Sequence, residues 1–193
     1  AAPTTSLPEE FGGSRNWYYR YTWLRDAALT IEVLADYTVA ESAIPWRDWL
    51  LRAVAGDVRE LQIMYGLAGE RELREYEIDR LSGYENSTPV RIGNGAYGQY
   101  QADVVGEVML ALAKLRDHNI QEDEYTWELQ ARLLAYCEAN FERKDHGIWE
   151  MRGDLHYFTH GRVMMWAAFD QGARAVREYG LPGPVERWEE LRD

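Results

Sequence analysis

Val104-Val105-Gly106-Glu107-Val108-Met109-Leu110-Ala111-Leu112-Ala113-Lys114-Leu115 decides the fold class of this 193-residue chain. Val104, Val105, Val108, Met109, Leu112 and Leu115 recur at three and four, which is one face of a helix. The pattern predicts a helix from about Tyr97 to Arg116. Toward the N-terminus the same rhythm returns. Leu24, Ala27, Ala28, Ile31, Leu34 and Ala35 mark a helix beginning near Trp23. Ile44, Trp49, Leu50, Ala53 and Val54 mark a second, with Pro45 near its start, where a missing N–H costs little. Toward the C-terminus, Leu129, Leu133, Tyr136 and Cys137 lie inside a helix from about Glu124 to Phe141. Val163, Trp166, Phe169, Ala173 and Val176 are expected inside one from about His160 to Tyr179, stopped by Gly180. Pro184 opens a sixth, with Val185, Trp188 and Leu191 on one face.

Residues 56–95 break this rhythm. Gly56, Gly66, Gly69, Gly83, Gly93 and Gly95 punctuate them, around two short apolar runs at Leu61–Tyr65 and Val90–Ile92. An excursion of about forty residues is too long for a mere connection and is usually functional. Residues 1–15 read as a leader or extended arm. Six helices in series with no convincing sheet make the chain all-α. Helices joined in this way pair as hairpins, and such pairs stacked in a ring form an α/α toroid. The periodicity gives all-α but does not by itself give a ring.

Composition excludes several function classes. At 46% hydrophobic residues the chain is a globule with a real core. Lys and Arg number 21 against 33 Asp and Glu, a net charge of -12, and that field repels phosphate backbones. No nucleic-acid partner is expected. No apolar run approaches the ~20 residues needed to cross a bilayer, so no membrane partner is expected either. No signal peptide is visible at the start, and the single cysteine, Cys137, rules out an intrachain disulfide. A cytoplasmic setting is expected. Eight Trp and thirteen Tyr serve equally as core fillers or as platforms for sugar faces, and composition cannot separate the two.

Two segments carry chemistry. Gly147-Ile148-Trp149-Glu150-Met151-Arg152-Gly153 places a carboxylate after a large aromatic in a glycine-bracketed loop. A carboxylic acid beside an indole is partly desolvated, which raises its pKa. Kept protonated, it can donate to a leaving oxygen, as the general acid of a glycosidase does. A loop glutamate beside a core tryptophan fits the same heptad. The second segment is Asn16-Trp17-Tyr18-Tyr19-Arg20-Tyr21-Thr22-Trp23-Leu24-Arg25-Asp26. A carboxylate accepts from sugar hydroxyls and a guanidinium donates in a fixed fork. A helix-start Asp favoured by the dipole, beside an Arg in a local ion pair, is the plainer alternative.

Six collinear blocks resemble glycoside hydrolase family 15, the family of glucoamylases, glucodextranases and one class of trehalases, and its bacterial and archaeal branch in particular. They are Asn16 to Asp26, Trp46 to Asp57, Leu61 to Gly66, Pro89 to Asn94, Gly147 to Gly153, and Phe158-Thr159-His160. The resemblance implies an (α/α)6 toroid of which residues 16–193 are the N-terminal half. The other half of that catalytic domain is then a required partner. It implies inverting, exo-acting hydrolysis of α-linked glucosides of the maltooligosaccharide or trehalose kind, without metal or other cofactor. Glu150 is the implied acid, and the family's base lies in the other half of the ring. Arg25 and Asp26 are implied to hold the terminal glucose.

Trp23, Tyr65, Arg91, Asn94, Trp149 and Arg152 are the further candidates for substrate contact, each with a structural alternative in core packing, turn chemistry or solvated charge. His156 and His160 lack the spacing of a zinc site and are read as structural hydrogen-bonding groups. Two positions depart from the family: Tyr18 stands where an aspartate is usual, and Gly161-Arg162 follow His160 in place of Ser-Lys. A non-catalytic carbohydrate-binding protein or an inactive fragment remains the rival reading. A phosphorylase on a similar toroid is a third, weaker one.

Overall fold

A computed structural model describes residues 7–37, 40–54 and 58–193, the Ser42 side chain apart. Gly56, Asp57 and the first six residues of the expected arm lie outside the described residues. Six α-helices are found among them: α1 (Leu24–Tyr37), α2 (Ile44–Val54), α3 (Val104–Asp117), α4 (Glu124–Ala139), α5 (Thr159–Tyr179) and α6 (Val185–Arg192). The chain is all-α, as its periodicity predicts. It divides into two compact units, one of residues 1–23 and 62–99 and the other of 24–61 and 100–193.

In the helical unit α3 packs between α1 and α5, α4 packs on α2, α3 and α5, and α6 packs back on α5. Trp127 of α4 meets Trp188 of α6 edge to face at 6.2 Å. Helix α3 is the best covered: Val104, Val105, Val108, Met109, Leu112 and Leu115 are all buried, and so are Glu107 and Arg116. Leu29 and Val33 of α1 and Val163 and Trp166 of α5 stay about half exposed. Val163 and Trp166 therefore correct the expected stripe of α5. The buried face of that helix runs instead through Met164, Met165, Ala168, Phe169, Gly172 and Ala173. It is broad because α3, α4 and α6 all pack on it.

Local chemistry sets the ends. Asp123 caps α4, its carboxylate accepting from Thr126 N at 2.7 Å. Gly180 ends α5 in the left-handed conformation, with φ 69°. Helix α3 starts at Val104 rather than near Tyr97, because Gly95–Gly98 form a separate 3-10 turn capped by Asn94. Cys137 is buried in α4, and burial pushes its thiol up to about 12.

The second unit holds the glycine-rich excursion. Its ladders are two residues long: β1 (Thr22–Trp23) pairs antiparallel with β2 (Met64–Tyr65), and β3 (Tyr76–Glu77) with β4 (Arg91–Ile92). Residues 7–15 are tied down within this unit. Gly12 N donates to Ser87 Oγ at 2.8 Å, and the Phe11 ring meets Tyr84 at 5.7 Å. A cavity of about 310 Å³ lies among Trp17, Tyr18, Arg20, Tyr84 and Ile92, so the Tyr18 departure from the family pattern faces it.

The α3–α5 contact depends on one missing side chain. A Cβ at Gly106 would meet the carbonyl oxygen of Met164 at 2.1 Å. Gly106→Ala must push the two helices apart, a small-to-large change in a packed core that costs about 1–3 kcal/mol. Denaturant midpoints of the wild type and the variant measure it, and equal midpoints would refute so close an approach.

Candidate functional site

In the helical unit α1, α3 and α5 bring their N-terminal ends together. Asp103 stands at the N-cap of α3 but makes no capping bond. Its carboxylate turns to Arg25, one residue into α1, whose Nη1 reaches Asp103 Oδ2 at 3.0 Å. The same nitrogen donates to Gln101 Oε1 at 2.8 Å, and Nη2 donates to the carbonyl of Ile148 at 3.3 Å. The pair is buried, with side-chain exposures of 14% and 1%. A desolvated pair of this kind holds only with further hydrogen bonds, and Gln101 and Ile148 supply them. Two neighbouring polar atoms, Asp103 Oδ1 and Gln101 Nε2, are buried without a hydrogen-bond partner among the described residues. Such atoms mark a place where water or a ligand completes the set.

Ile148 is two residues before Glu150, so Arg25 touches the backbone of the loop that carries the expected acid. That loop joins α4 to α5. Its base is closed by a bridge in which Asp145 N donates to His156 O at 2.9 Å and His156 N donates back at 3.1 Å. Glu150 has φ 54°, a left-handed conformation that is uncommon for a residue with a side chain. Glu150 N donates to Gly147 O at 3.3 Å and Met151 N to His146 O at 3.0 Å, which fold the segment into a turn. Strain of this kind persists where the surroundings over-determine it, and it clusters at functional sites. Glu150 is half-buried and Arg152 exposed. The Trp149 indole is 83% exposed, which excludes a core position and gives Glu150 no buried aromatic neighbour from this residue.

Arg25 and Asp26 differ. At least three N–H groups of Arg25 are committed to protein acceptors. The Asp26 side chain is 71% exposed and lies 3.8 Å from Arg25 Nη2.

The remaining expected contacts belong to the other unit, and there they are mostly scaffold. Tyr65 is fully buried, its hydroxyl accepting from Gln62 N at 3.1 Å. The Tyr65 ring has no exposed face and packs within its unit. Asn94 is buried as well. Its Oδ1 accepts from Ala96 N at 3.0 Å and its Nδ2 donates to Tyr18 O at 3.3 Å, which is turn chemistry rather than ligand recognition. Arg91 lies over the Trp17 ring at 4.6 Å and donates to Asn16 O at 3.0 Å and Glu77 Oε1 at 3.0 Å. Trp23 is nearly buried in β1 against Tyr19 and Tyr21.

A family model described as glycosyl hydrolases family 15 matches residues 1–193. The chain belongs to glycosyl hydrolase family 15. It is 36% identical over 196 residues to the trehalase of Mycolicibacterium smegmatis, an alignment spanning 100% of this chain and 29% of that protein. It is 35% identical over 193 residues to the trehalase of Thermoplasma acidophilum, across 100% of this chain and 33% of that one. To trehalase 1 of Sulfolobus acidocaldarius it is 39% identical over 176 residues, with 89% and 31% covered. The chain thus spans about a third of the length of the curated relatives it matches. No solved structure matches it. None of its described helices is long and apolar enough to cross a membrane.

Sequence reasoning on this family 15 chain missed the partners of His160. Its Nε2 lies 3.2 Å from Glu107 Oε1 and 3.9 Å from Asp103 Oδ2. One ligand-type atom from each of the three residues lies within 4.8 Å of the others. The Arg25 guanidinium already places positive charge on Asp103. The missed signal was the joint placement of Glu107 and His160, each in the first turn of a helix and so at the same end of the unit. Burial, and then the Asp103 charge, push the Glu107 carboxyl above its ordinary value, while His160 pulls it back and Glu32 of α1 adds a small push. The folded state therefore holds this proton more tightly than the unfolded chain does. Its contribution to stability is complete below the ordinary value of 4.5 and is lost as pH rises through the raised one. Glu107→Gln removes this component. Melting temperatures measured across that window fall less steeply with pH in the variant, and an identical slope would reject the assignment.

Proposed function

We propose that the protein containing this chain is an inverting, exo-acting glycoside hydrolase that cleaves an α-linked glucoside of the trehalose type, with Glu150 as the general acid. The observation that carries the reading is the bond from Arg25 to the Ile148 carbonyl. It ties the head of α1, where Asp26 is open to a sugar, to the loop that holds Glu150 in a strained turn. Inversion needs a proton donor at the glycosidic oxygen and a second carboxylate that activates water on the opposite face of the sugar. Glu150 is the donor in this reading. No base is assigned among residues 1–193, and the reading leaves it to the part of the protein that the longer relatives carry.

The Arg25–Asp26 pair divides its work. Asp26 accepts from hydroxyls of the terminal glucose, while Arg25 braces Asp26 on one side and the acid loop on the other. Trp149, exposed beside Glu150, is available as a wall for the sugar, and Arg152 as a charge at its edge. The trehalase names of the relatives favour trehalose over maltooligosaccharides.

The test uses the protein at its natural length with trehalose, maltose, maltooligosaccharides and isomaltose. On trehalose, inversion yields β-glucose from the cleaved side and α-glucose from the leaving sugar in equal amounts, read by NMR in the first minutes. Glu150→Gln lowers turnover by ~10²-fold or more. Release of α-glucose alone overturns inversion, and a fully active variant overturns the acid assignment. No turnover by the folded wild type on any of these substrates favours a non-catalytic carbohydrate-binding role.

A further inference from the structure

We propose that Asp145 is a positioning residue that fixes the Glu150 carboxyl relative to the sugar anchor at α1. The inference rests on the reading of Glu150 as the acid. Asp145 is 2% exposed and lies at the foot of the acid loop. Its two carboxylate oxygens are committed to two different segments. Oδ2 accepts from Ala102 N at 2.7 Å, and Oδ1 accepts from Gly147 N at 3.2 Å. Ala102 sits between Gln101 and Asp103, the two side chains that hold Arg25. Gly147 begins the turn that ends on Glu150. One buried carboxylate thus joins the support of the anchor to the support of the acid.

The neighbouring bonds act in the same direction. His146 N donates to Tyr100 O at 3.1 Å, so the loop and residues 100–102 meet along their backbones as well. The bridge between Asp145 and His156 closes the loop behind this contact. Arg25 closes the circuit from the far side through Ile148. Helix α5 comes in against the same carboxylate: a Cβ at Gly161 would stand 2.9 Å from Asp145 Oδ2 and 3.0 Å from Ala102 Cβ. The family departure at Gly161 therefore falls on the residue that lets α5 approach Asp145. Displacements of about 1 Å at a reacting group cost on the order of 10² in rate. A carboxylate that fixes such a distance controls catalysis without touching the substrate.

The experiment separates positioning from folding by the leaving group. Fluoride departs with little help from a proton, whereas a glucose oxygen needs one. The value of kcat/KM is measured on trehalose and on α-glucosyl fluoride for the wild type, Asp145→Asn and Glu150→Gln, in the protein at its natural length. Asp145→Asn keeps one acceptor oxygen and places an amide where the second acceptor was. It is expected to lose ~10²-fold on trehalose and less than ~10-fold on the fluoride, the skew that Glu150→Gln gives in stronger form. Equal losses on both substrates, or none, overturn the proposal while leaving the acid assignment intact. If Glu150→Gln itself shows no skew, the acid assignment falls and the positioning role falls with it. Should Asp145→Asn not fold, Gly161→Ala presses on the same carboxylate from α5. The same skew in that variant supports the proposal, and equal losses overturn it.

Discussion

Arg25 is the constraint on which the meeting of α1, α3 and the loop before α5 depends. A guanidinium cannot shed its proton. Wherever α1 places it, the fold must supply acceptors or leave a charge stranded out of water. Three are supplied, from two parts of the chain: Asp103 at the head of α3 and Gln101 just before it, and the Ile148 carbonyl in the loop before α5. Asp103 gives one oxygen to Arg25 and makes no capping bond to its own helix. The guanidinium thereby ties the head of α3 to α1 and to the loop that carries Glu150.

The convergence of helix heads gives this end its electrostatic character. Each N-terminus carries a partial positive charge, which favours carboxylates in the first turn. Asp26 in α1 and Glu107 in α3 occupy such positions. Burial works against this at Glu107, where desolvation and the Asp103 charge outweigh the nearby imidazole and the carboxyl is held partly toward its neutral form. Asp26, by contrast, is largely exposed. The first turns of α1 and α3 therefore carry carboxylates set apart by exposure.

Much of this was legible in the sequence, and the failures have physical causes. The α3 stripe was read residue by residue because a central helix is buried on most sides, so every apolar position counts. The α5 stripe was misread at Val163 and Trp166 because three helices pack on α5, and a broad buried face blurs which apolar residues are outside. The family blocks located Arg25, Asp26 and Glu150, but a block does not distinguish a residue that meets substrate from one that shapes the loop. Tyr65 and Asn94 are of the second kind: one fills a core and the other caps a turn. Asp145 was passed over altogether. Its only local signature is an Asx-type turn onto Gly147, two residues on, which is common in any loop. Its second bond, to Ala102, spans 43 residues and is invisible before the chain is folded.

That difference bears on how Glu150, the proposed acid, acquires its place. The heptad Gly147 to Gly153 contains the carboxyl, yet its backbone at Glu150 sits in a conformation that no local preference supplies. Residues with a side chain stay there only when surrounding contacts leave no alternative. Beside the turn's own bond from Glu150 N to Gly147 O, the loop is tied by residues 100–102, by Arg25 and by the bridge to His156, all outside the heptad. The motif therefore supplies the carboxyl, and the tertiary ties supply much of its geometry. A graft of the heptad alone would carry the carboxyl without its aim, whereas changes at Asp145 or Gly161 act on the aim and leave the carboxyl in place.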